Sequence, residues 1–481
     1  MIRSHATDIL ALVLLIALAG CAVNPATGAR ELSFVGEGQE IAMGQQSDPG
    51  IVAQMGLYPD SAVQRYVRDI GLRMAAVSER PDLPWTFRVL DDPTVNAFAL
   101  PGGFVYITRG ILTHLNSEAQ LAGILGHEIG HVTARHSVSQ MSRTQLAQLG
   151  LAVGMVFSET VRDYGGLAAQ GIGLLSLSYG RDDELESDHL GLRYMTRLGY
   201  EPRELAGVMD MLARHSTLHA GEGGRVPEWM STHPYPENRI ERIFAEIEAT
   251  PAYQDPSFVV EHESYLDRLD GIVFGANPRV GFVGDGAIHH PDLSFRCDVP
   301  SGWNLFHGRQ AVQLQPREGQ GLTGLIDLRL DPNEPVAAAR EFAGQEGIRP
   351  GSIREGSVNG NPAASVGFEA TSQDGELAGE MTWIRHDGRT YAFLALSSAQ
   401  GWSGFASAAR GVVRSFREET DPDILRIQPL TLVVADLAEA TDWATFLRSY
   451  PSEIPDPVVA VINQVREGDT LERGPAKHVV R

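Results

Sequence analysis

Residues 125–136 read LGHEIGHVTARH, with His127 and His131 four apart and Glu128 between them in an apolar, small-residue run. No other feature constrains the chain as strongly. Ser117 followed by Gln120 is a capping-box signature, and SEAQLAGILGHEIGHVTARH then continues at helical apolar spacing, which predicts a helix. Residues four apart leave nearly the same helix face, about 6 Å apart along the axis. His127 and His131 are therefore placed to coordinate one metal ion, with Glu128 beside them facing its open position. Buried polar groups without partners are costly, so such a stretch needs an explanation of this kind. Zinc suits the set: it accepts imidazole nitrogen, has no redox chemistry, and lowers the pKa of bound water toward roughly 7 when one position stays open. One zinc ion per chain is expected, with Glu128 taking the water proton as general base and returning it to a leaving amine. The bland alternative is a helix with incidental histidines, and elements downstream weigh against it.

A catalytic zinc needs a third protein ligand, and SYGRDDELESDHLG at 178–191 offers a carboxylate-rich helix start with Glu184 and Asp188 four apart. Alone, these would read as a solvated acidic face. Together with NAFALPGG at 96–103 and the histidine helix, the arrangement resembles the HtpX and CAAX-endopeptidase (Ste24-type) family of gluzincin zinc metallopeptidases, across residues 31–250. The resemblance implies Glu184 as third metal ligand and Asp188 as the residue that orients a ligating histidine and fixes its tautomer. It further implies that His233, in STHPYPENRI, sits over the metal to stabilise the tetrahedral state or serves as a gating ligand at rest. Arg239 would contact the substrate or the site carboxylates. Asn96, Ala97 and Phe98 would belong to an edge strand that pairs with an extended substrate peptide. His136, His189, His215 and His219 are read as ordinary polar residues.

A net charge of -22 argues against nucleic acid or anionic headgroups as partners, because the summed field repels polyanions. The N-terminus points to an envelope location. ILALVLLIALAG is an apolar run of twelve, too short for a permanent span, and Cys21 follows it directly. LAGC at 18–21 resembles a bacterial lipobox, which implies removal of residues 1–20, lipidation of Cys21, and, with Ala22 next, the periplasmic face of the outer membrane in a Gram-negative host. The alternative is a retained signal anchor. Cys297 is then left without a partner in the chain.

The expected fold is multidomain. A mainly α-helical zincin domain with a small β-sheet covers 21–255, helices being predicted in AVQRYVRDIGLRMAAVSER and PENRIERIFAEIEA, with a strand pair between them in WTFRVLDD and NAFALPGGFVYITRGIL and Pro101-Gly102-Gly103 as the turn. A connecting segment at 256–284 leads to an α+β sandwich-like domain at 285–418, which loosely resembles PsbP and Mog1, and then to a small α/β unit at 424–481 resembling a degenerate LysM. A true LysM would imply contact with peptidoglycan. The mostly apolar stretch 144–177 reads as a helical hairpin that covers the site or rests on lipid, or else as plain core. Two function classes follow. One is a zinc endopeptidase acting on misfolded or stalled envelope proteins; the other is a periplasmic chaperone or outer-membrane assembly factor with gated or minor proteolysis.

Overall fold

The computed structural model describes residues 21–142, 179–219, 229, 232–233, 238–307, 311–317, 322–331, 334–372 and 375–481. The apolar run before Cys21 and the expected hairpin at 144–177 lie outside these residues. The chain divides into two compact units, one formed by 1–52, 56–275 and 430–481 and the other by 53–55 and 276–429. No helix among the described residues is long and apolar enough to cross a membrane.

The first unit begins with a short antiparallel pair, β1 (Cys21–Val23) and β2 (Arg30–Leu32), followed by helices α1 (Glu37–Met55) and α2 (Ser61–Ala76). Asp60 caps α2 by accepting from the amides of Ala62 and Val63, donors that the first helical turn leaves orphaned. Strands β3 (Thr86–Leu90), β4 (Ala97–Leu100) and β5 (Phe104–Thr108) come next. They form a three-stranded sheet in the order β3-β5-β4 rather than the predicted pair, because β3 runs parallel to β5 while β4 returns antiparallel through the Pro101–Gly103 turn. WTFRVLDD supplies β3, and NAFALPGGFVYITRGIL folds back at the turn to supply both β4 and β5. A short helix, α3 (Arg109–His114), then leads into α4 (Glu118–Thr133), capped by Ser117, whose hydroxyl accepts from Gln120 N–H at 3.1 Å.

Helix α4 is buried from Ala119 to Thr133 and forms the centre of the unit. Its neighbours include α2, α5 (Arg181–Arg197) and α6 (Arg203–His219), and α7 (Arg239–Ala249) packs on α6 and α5. Helices α4 and α5 approach at backbone distance. A Cβ on Gly126 would stand 3.1 Å from the Cα of Gly191, and one on Gly130 would stand 3.1 Å from the Cα of Ser187. A glycine before each metal-helix histidine is thus what lets the two helices close on each other and bring their polar side chains together.

The C-terminal segment alters the predicted domain plan. Residues 430–481 are not a separate unit but part of the first one: Leu430–Leu437 pairs with Gly474–Val480 on one side and with Val273–Phe274 on the other. Lys477, fully buried, donates from Nζ to the carbonyls of Thr113 (3.0 Å) and Leu115 (2.9 Å), at the junction of α3 and α4. Gln464 and Gln120 exchange reciprocal amide hydrogen bonds at 2.8 Å.

The second unit is rich in strands. Seven antiparallel strands run in the order Trp303–His307, Ala311–Pro316, Leu322–Asp331, Arg389–Ser398, Gly375–His386, Asn361–Ser372, Ile348–Val358, and a four-stranded sheet is built on Ala287–His290 and Phe295–Asp298. Phe295, Cys297, Leu314, Tyr391, Phe393, Val412 and Phe416 share one core between the sheets and the helix Trp402–Ser415. Cys297 is a free, buried thiol whose pKa burial pushes up to about 12, which keeps it unreactive.

Candidate metal centre

Helix α4 brings His127 and His131 together, and α5 brings Glu184 and Asp188 to face them. The Nε2 atoms of His127 and His131 are 3.0 Å apart. The Glu184 carboxylate lies 3.5 Å from Nε2 of His127 and 3.4 Å from Nε2 of His131. Ligands held about 2.0–2.1 Å from a tetrahedral zinc stand roughly 3.3 Å from one another, so these separations fit that ion. The donor set fits equally well. Nδ1 of His127 lies 3.0 Å from Oδ1 of Asp188, which as a carboxylate can only accept; the imidazole proton therefore sits on Nδ1 and the Nε2 lone pair is left for the metal.

Arg239, at the start of α7 and fully buried, is the counterion of the centre. Its Nε donates to Asp188 at 2.7 Å, its Nη2 to the same carboxylate at 2.5 Å, and its Nη1 to Glu184 at 3.0 Å. Of the two expected contacts for this arginine, the one with the site carboxylates is seen. Burial alone would raise the pKa of Asp188, but Arg239 and His127 outweigh it and hold the carboxyl below its usual range. Glu184 is likewise held well below its usual value against the cost of burial, by His233, His127 and His131. Burial depresses the His127 imidazole, yet hydrogen bonds to Asp188 and Glu184 overcome this and bring it to about 9. His131, with less support, is lowered well below 6.5 by burial.

His233 reaches into the same cluster. One donor atom from each of His127, His131, Glu184 and His233 lies within 4.8 Å of all the others. Its Nδ1 is 3.0 Å from Glu184 and 3.3 Å from Nε2 of His127, while its Nε2 makes no hydrogen bond and lies 3.6 Å from Glu128. Glu128 differs from every other acid in the centre. It is fully buried, and neither carboxylate oxygen has a hydrogen-bond partner among the described residues. Burial raises its pKa, only partly offset by His233 and His127.

The remaining predicted positions are placed as follows. Asn96, Ala97 and Phe98 are buried at 3%, 0% and 7% exposure, and β4, which contains Ala97 and Phe98, is an edge strand of its sheet. Cys21 lies in β1. Three residues of the centre escaped the sequence reading. Tyr179 stacks on His131 with ring centroids 3.8 Å apart, Trp229 stacks on His233 at 4.1 Å, and His136, expected to be an ordinary polar residue, is buried with its Nδ1 2.9 Å from Nδ1 of His131. Lone aromatic residues and a histidine just past a helix end carry no spacing signal. By contrast His189 is half exposed and pairs with Glu246, away from the cluster.

Comparison with known proteins places this geometry. The description Peptidase family M48 matches residues 61–247. The beta-barrel assembly-enhancing protease of Escherichia coli (strain K12) is 29% identical over 229 residues, 45% of this chain and 45% of that protein. The mitochondrial metalloendopeptidase OMA1 of Schizosaccharomyces pombe is 32% identical over 185 residues, 37% of this chain and 51% of that one. The chain thus spans about half the length of the curated relatives it matches. Among solved structures, cyanobacterial PsbP from Synechocystis sp. PCC 6803 matches with a TM-score of 0.24 and 13% identity, over 29% of this chain and 96% of that one, a likeness that carries no argument about the fold. The match over 61–247 covers the histidine helix, the facing acidic helix, and the histidine and arginine that close the cluster, so the segment that carries the metal centre is the one similar to peptidase family M48.

Proposed function

We propose that the chain is a zinc-dependent endopeptidase cleaving misfolded or stalled proteins of the cell envelope. One observation carries the reading: Glu128 presents two unpartnered carboxylate oxygens, fully buried, beside a convergent set of metal donors. A buried carboxylate left without hydrogen bonds is costly, and its raised pKa suits a group that must take up and release a proton. In this reading His127, His131 and Glu184 hold the ion. Asp188 fixes the His127 tautomer, and Arg239 keeps Asp188 charged and holds both carboxylates in place. Bound zinc supplies a Lewis acid for the substrate carbonyl and a water of lowered pKa. Glu128 accepts the proton of the attacking water and passes it to the leaving amine. The edge strand β4, with Asn96, Ala97 and Phe98, offers main-chain pairing to an extended peptide, which makes binding tolerant of sequence.

The proposed setting is the periplasmic face of the outer membrane, with a lipid on Cys21 after removal of residues 1–20. The likeness to a protease named for enhancing beta-barrel assembly supports this choice. Cys21→Ser is expected to release the protein from the membrane fraction. Unchanged pelleting would mean that the apolar run is kept as a signal anchor.

A second reading has an observation of its own. Nδ1 of His233 stands within the ligand set, where it can take the fourth position that hydrolysis requires for water. A centre closed in this way fits an assembly factor or chaperone whose proteolysis is gated. Casein hydrolysis and bound zinc in wild type, Glu128→Gln and His233→Ala separate the two. If the endopeptidase reading is right, wild type cleaves and Glu128→Gln retains zinc without cleaving. Activity that appears only in His233→Ala favours the gated reading, and a wild type without zinc defeats both.

A further inference from the structure

His131 has a supporting partner of an unusual kind. The first ligand, His127, leans on a carboxylate; the second leans on another histidine. Nδ1 of His131 and Nδ1 of His136 are 2.9 Å apart, and His136 is 1% exposed. Only one of those two nitrogens can carry the proton between them. If Nε2 of His131 is to offer its lone pair to the metal, the proton sits on its Nδ1, and Nδ1 of His136 must accept it. Ser187 Oγ, 3.3 Å from the same His136 nitrogen, can add a second donor. The His136 proton then sits on Nε2, which faces two carboxylates, Glu186 at 3.6 Å and Asp183 at 3.9 Å, without a hydrogen bond to either.

The chain of contacts continues to the N-terminal segment. Oε1 of Glu186 accepts from the side-chain amide of Asn24 at 3.0 Å, and Asn24 is 2% exposed. Asn24 in turn organises the turn between β1 and β2. Its Oδ1 accepts from the amides of Ala26 (2.9 Å) and Thr27 (3.2 Å), and its backbone bonds to Ala29 and Gly28 at 2.8 Å. A side chain that holds its own loop and an acidic residue of α5 at once cannot shift one without the other.

We infer that His136 is the positioning residue for the metal ligand His131, and that Asn24, acting through Glu186, makes the segment just after Cys21 part of the support of the metal centre. The inference rests on the zinc-site reading given above. It assigns His136 no contact with substrate. Its role is to select the tautomer and ring orientation of a ligand, the kind of outer-shell support whose loss costs about 10–100-fold in metal affinity.

The test compares two substitutions similar in volume and different in chemistry. In the full-length protein, His136→Leu removes the acceptor, whereas His136→Asn keeps an oxygen where Nδ1 was. Zinc affinity is measured by competition with a chelator, with circular dichroism to check the fold. His136→Leu is expected to bind zinc about 10–100 times more weakly, with His136→Asn recovering most of the loss. Nitrogen-15 spectra of the zinc-loaded wild type should show His131 protonated at Nδ1. Asn24→Ala is expected to weaken zinc binding less than His136→Leu, and to have no further effect in the His136→Leu background, as two members of one connected path should. Equal affinity in His136→Leu and wild type overturns the assignment of His136, as does an Asn variant no better than the Leu variant. Equal effects of Asn24→Ala in both backgrounds overturn the link to the N-terminal segment. A wild type that binds no zinc overturns the zinc-site reading itself.

Discussion

Two buried carboxylates, one in each unit, show what burial by itself does and does not mean. Glu128 is fully buried and Glu380 is 8% exposed. Glu380, in the strand-rich unit, is enclosed by arginines: Arg410 donates to it from Nε at 3.2 Å and Nη2 at 2.9 Å, and Arg354 donates through Nη2. Burial would raise its pKa, but Arg410 and Arg354 outweigh that and lower it below 4.5. Glu128 has no such partner, and its pKa is raised. The first carboxylate is consumed by structure, since both its oxygens accept from arginine side chains. The second is held in reserve, and a fold carries that cost only where something else completes the arrangement. Unpaired burial is thus the better sign of chemistry, and acidic residues with arginine neighbours are the better sign of architecture.

The contrast predicts a graded set of losses. The largest is expected for Glu128→Gln, which should lose at least about 100-fold in peptide hydrolysis while keeping its fold and its zinc. Rescue of this variant by added zinc, or wild-type turnover, would remove Glu128 from its role. Next comes Asp188→Asn, which keeps the fold but should bind zinc about 10–100 times more weakly, so that hydrolysis partly returns during a zinc titration. Failure to recover at any zinc concentration would place Asp188 in the chemistry rather than in the support of His127. The smallest effect is expected for Glu380→Gln. Zinc content and hydrolysis should match wild type, and only acid stability should change. The sign follows from the lowered pKa: the ionised side chain stabilises the folded unit above about pH 4.5, the unfolded value, and that contribution disappears as pH falls through the lower folded value. The variant should therefore be less stable than wild type at neutral pH and indistinguishable from it in strong acid, as denaturant unfolding at several pH values will show. A loss of hydrolysis in Glu380→Gln would break the distinction drawn here.

The parts of the centre that could be read from the chain were those with a period. His127 and His131, then Glu184 and Asp188, each stand four apart, and each pair leaves one face of a helix that the structure contains. The cap at Ser117 was legible for the same reason, being a local contact between near neighbours. What failed to show was long-range or irregular. His136 follows Arg135, whose φ of 60° ends helical geometry and turns the chain so that the next side chain comes back against His131. A histidine five residues past a ligand has no helical reason to touch it. The membership of 430–481 in the metal-bearing unit was hidden more deeply, because its strands pair with residues more than 150 positions earlier through contacts that leave no trace in local composition.

Lys477 has a consequence in time. Its contacts with Thr113 and Leu115 join residues 364 and 362 positions apart, across the whole of the intervening 276–429 unit. A ribosome adding roughly 5–20 residues per second needs about 20–70 s to travel that distance. For the last 238 of those positions, once Arg239 has been made, the nascent chain already contains every residue of the metal cluster, yet lacks the strand that braces the start of the histidine helix. Synthesis order thereby separates making the centre from finishing it, and a chain interrupted before its last strand would emerge with the chemical groups of the metal centre and without the frame that holds them ready.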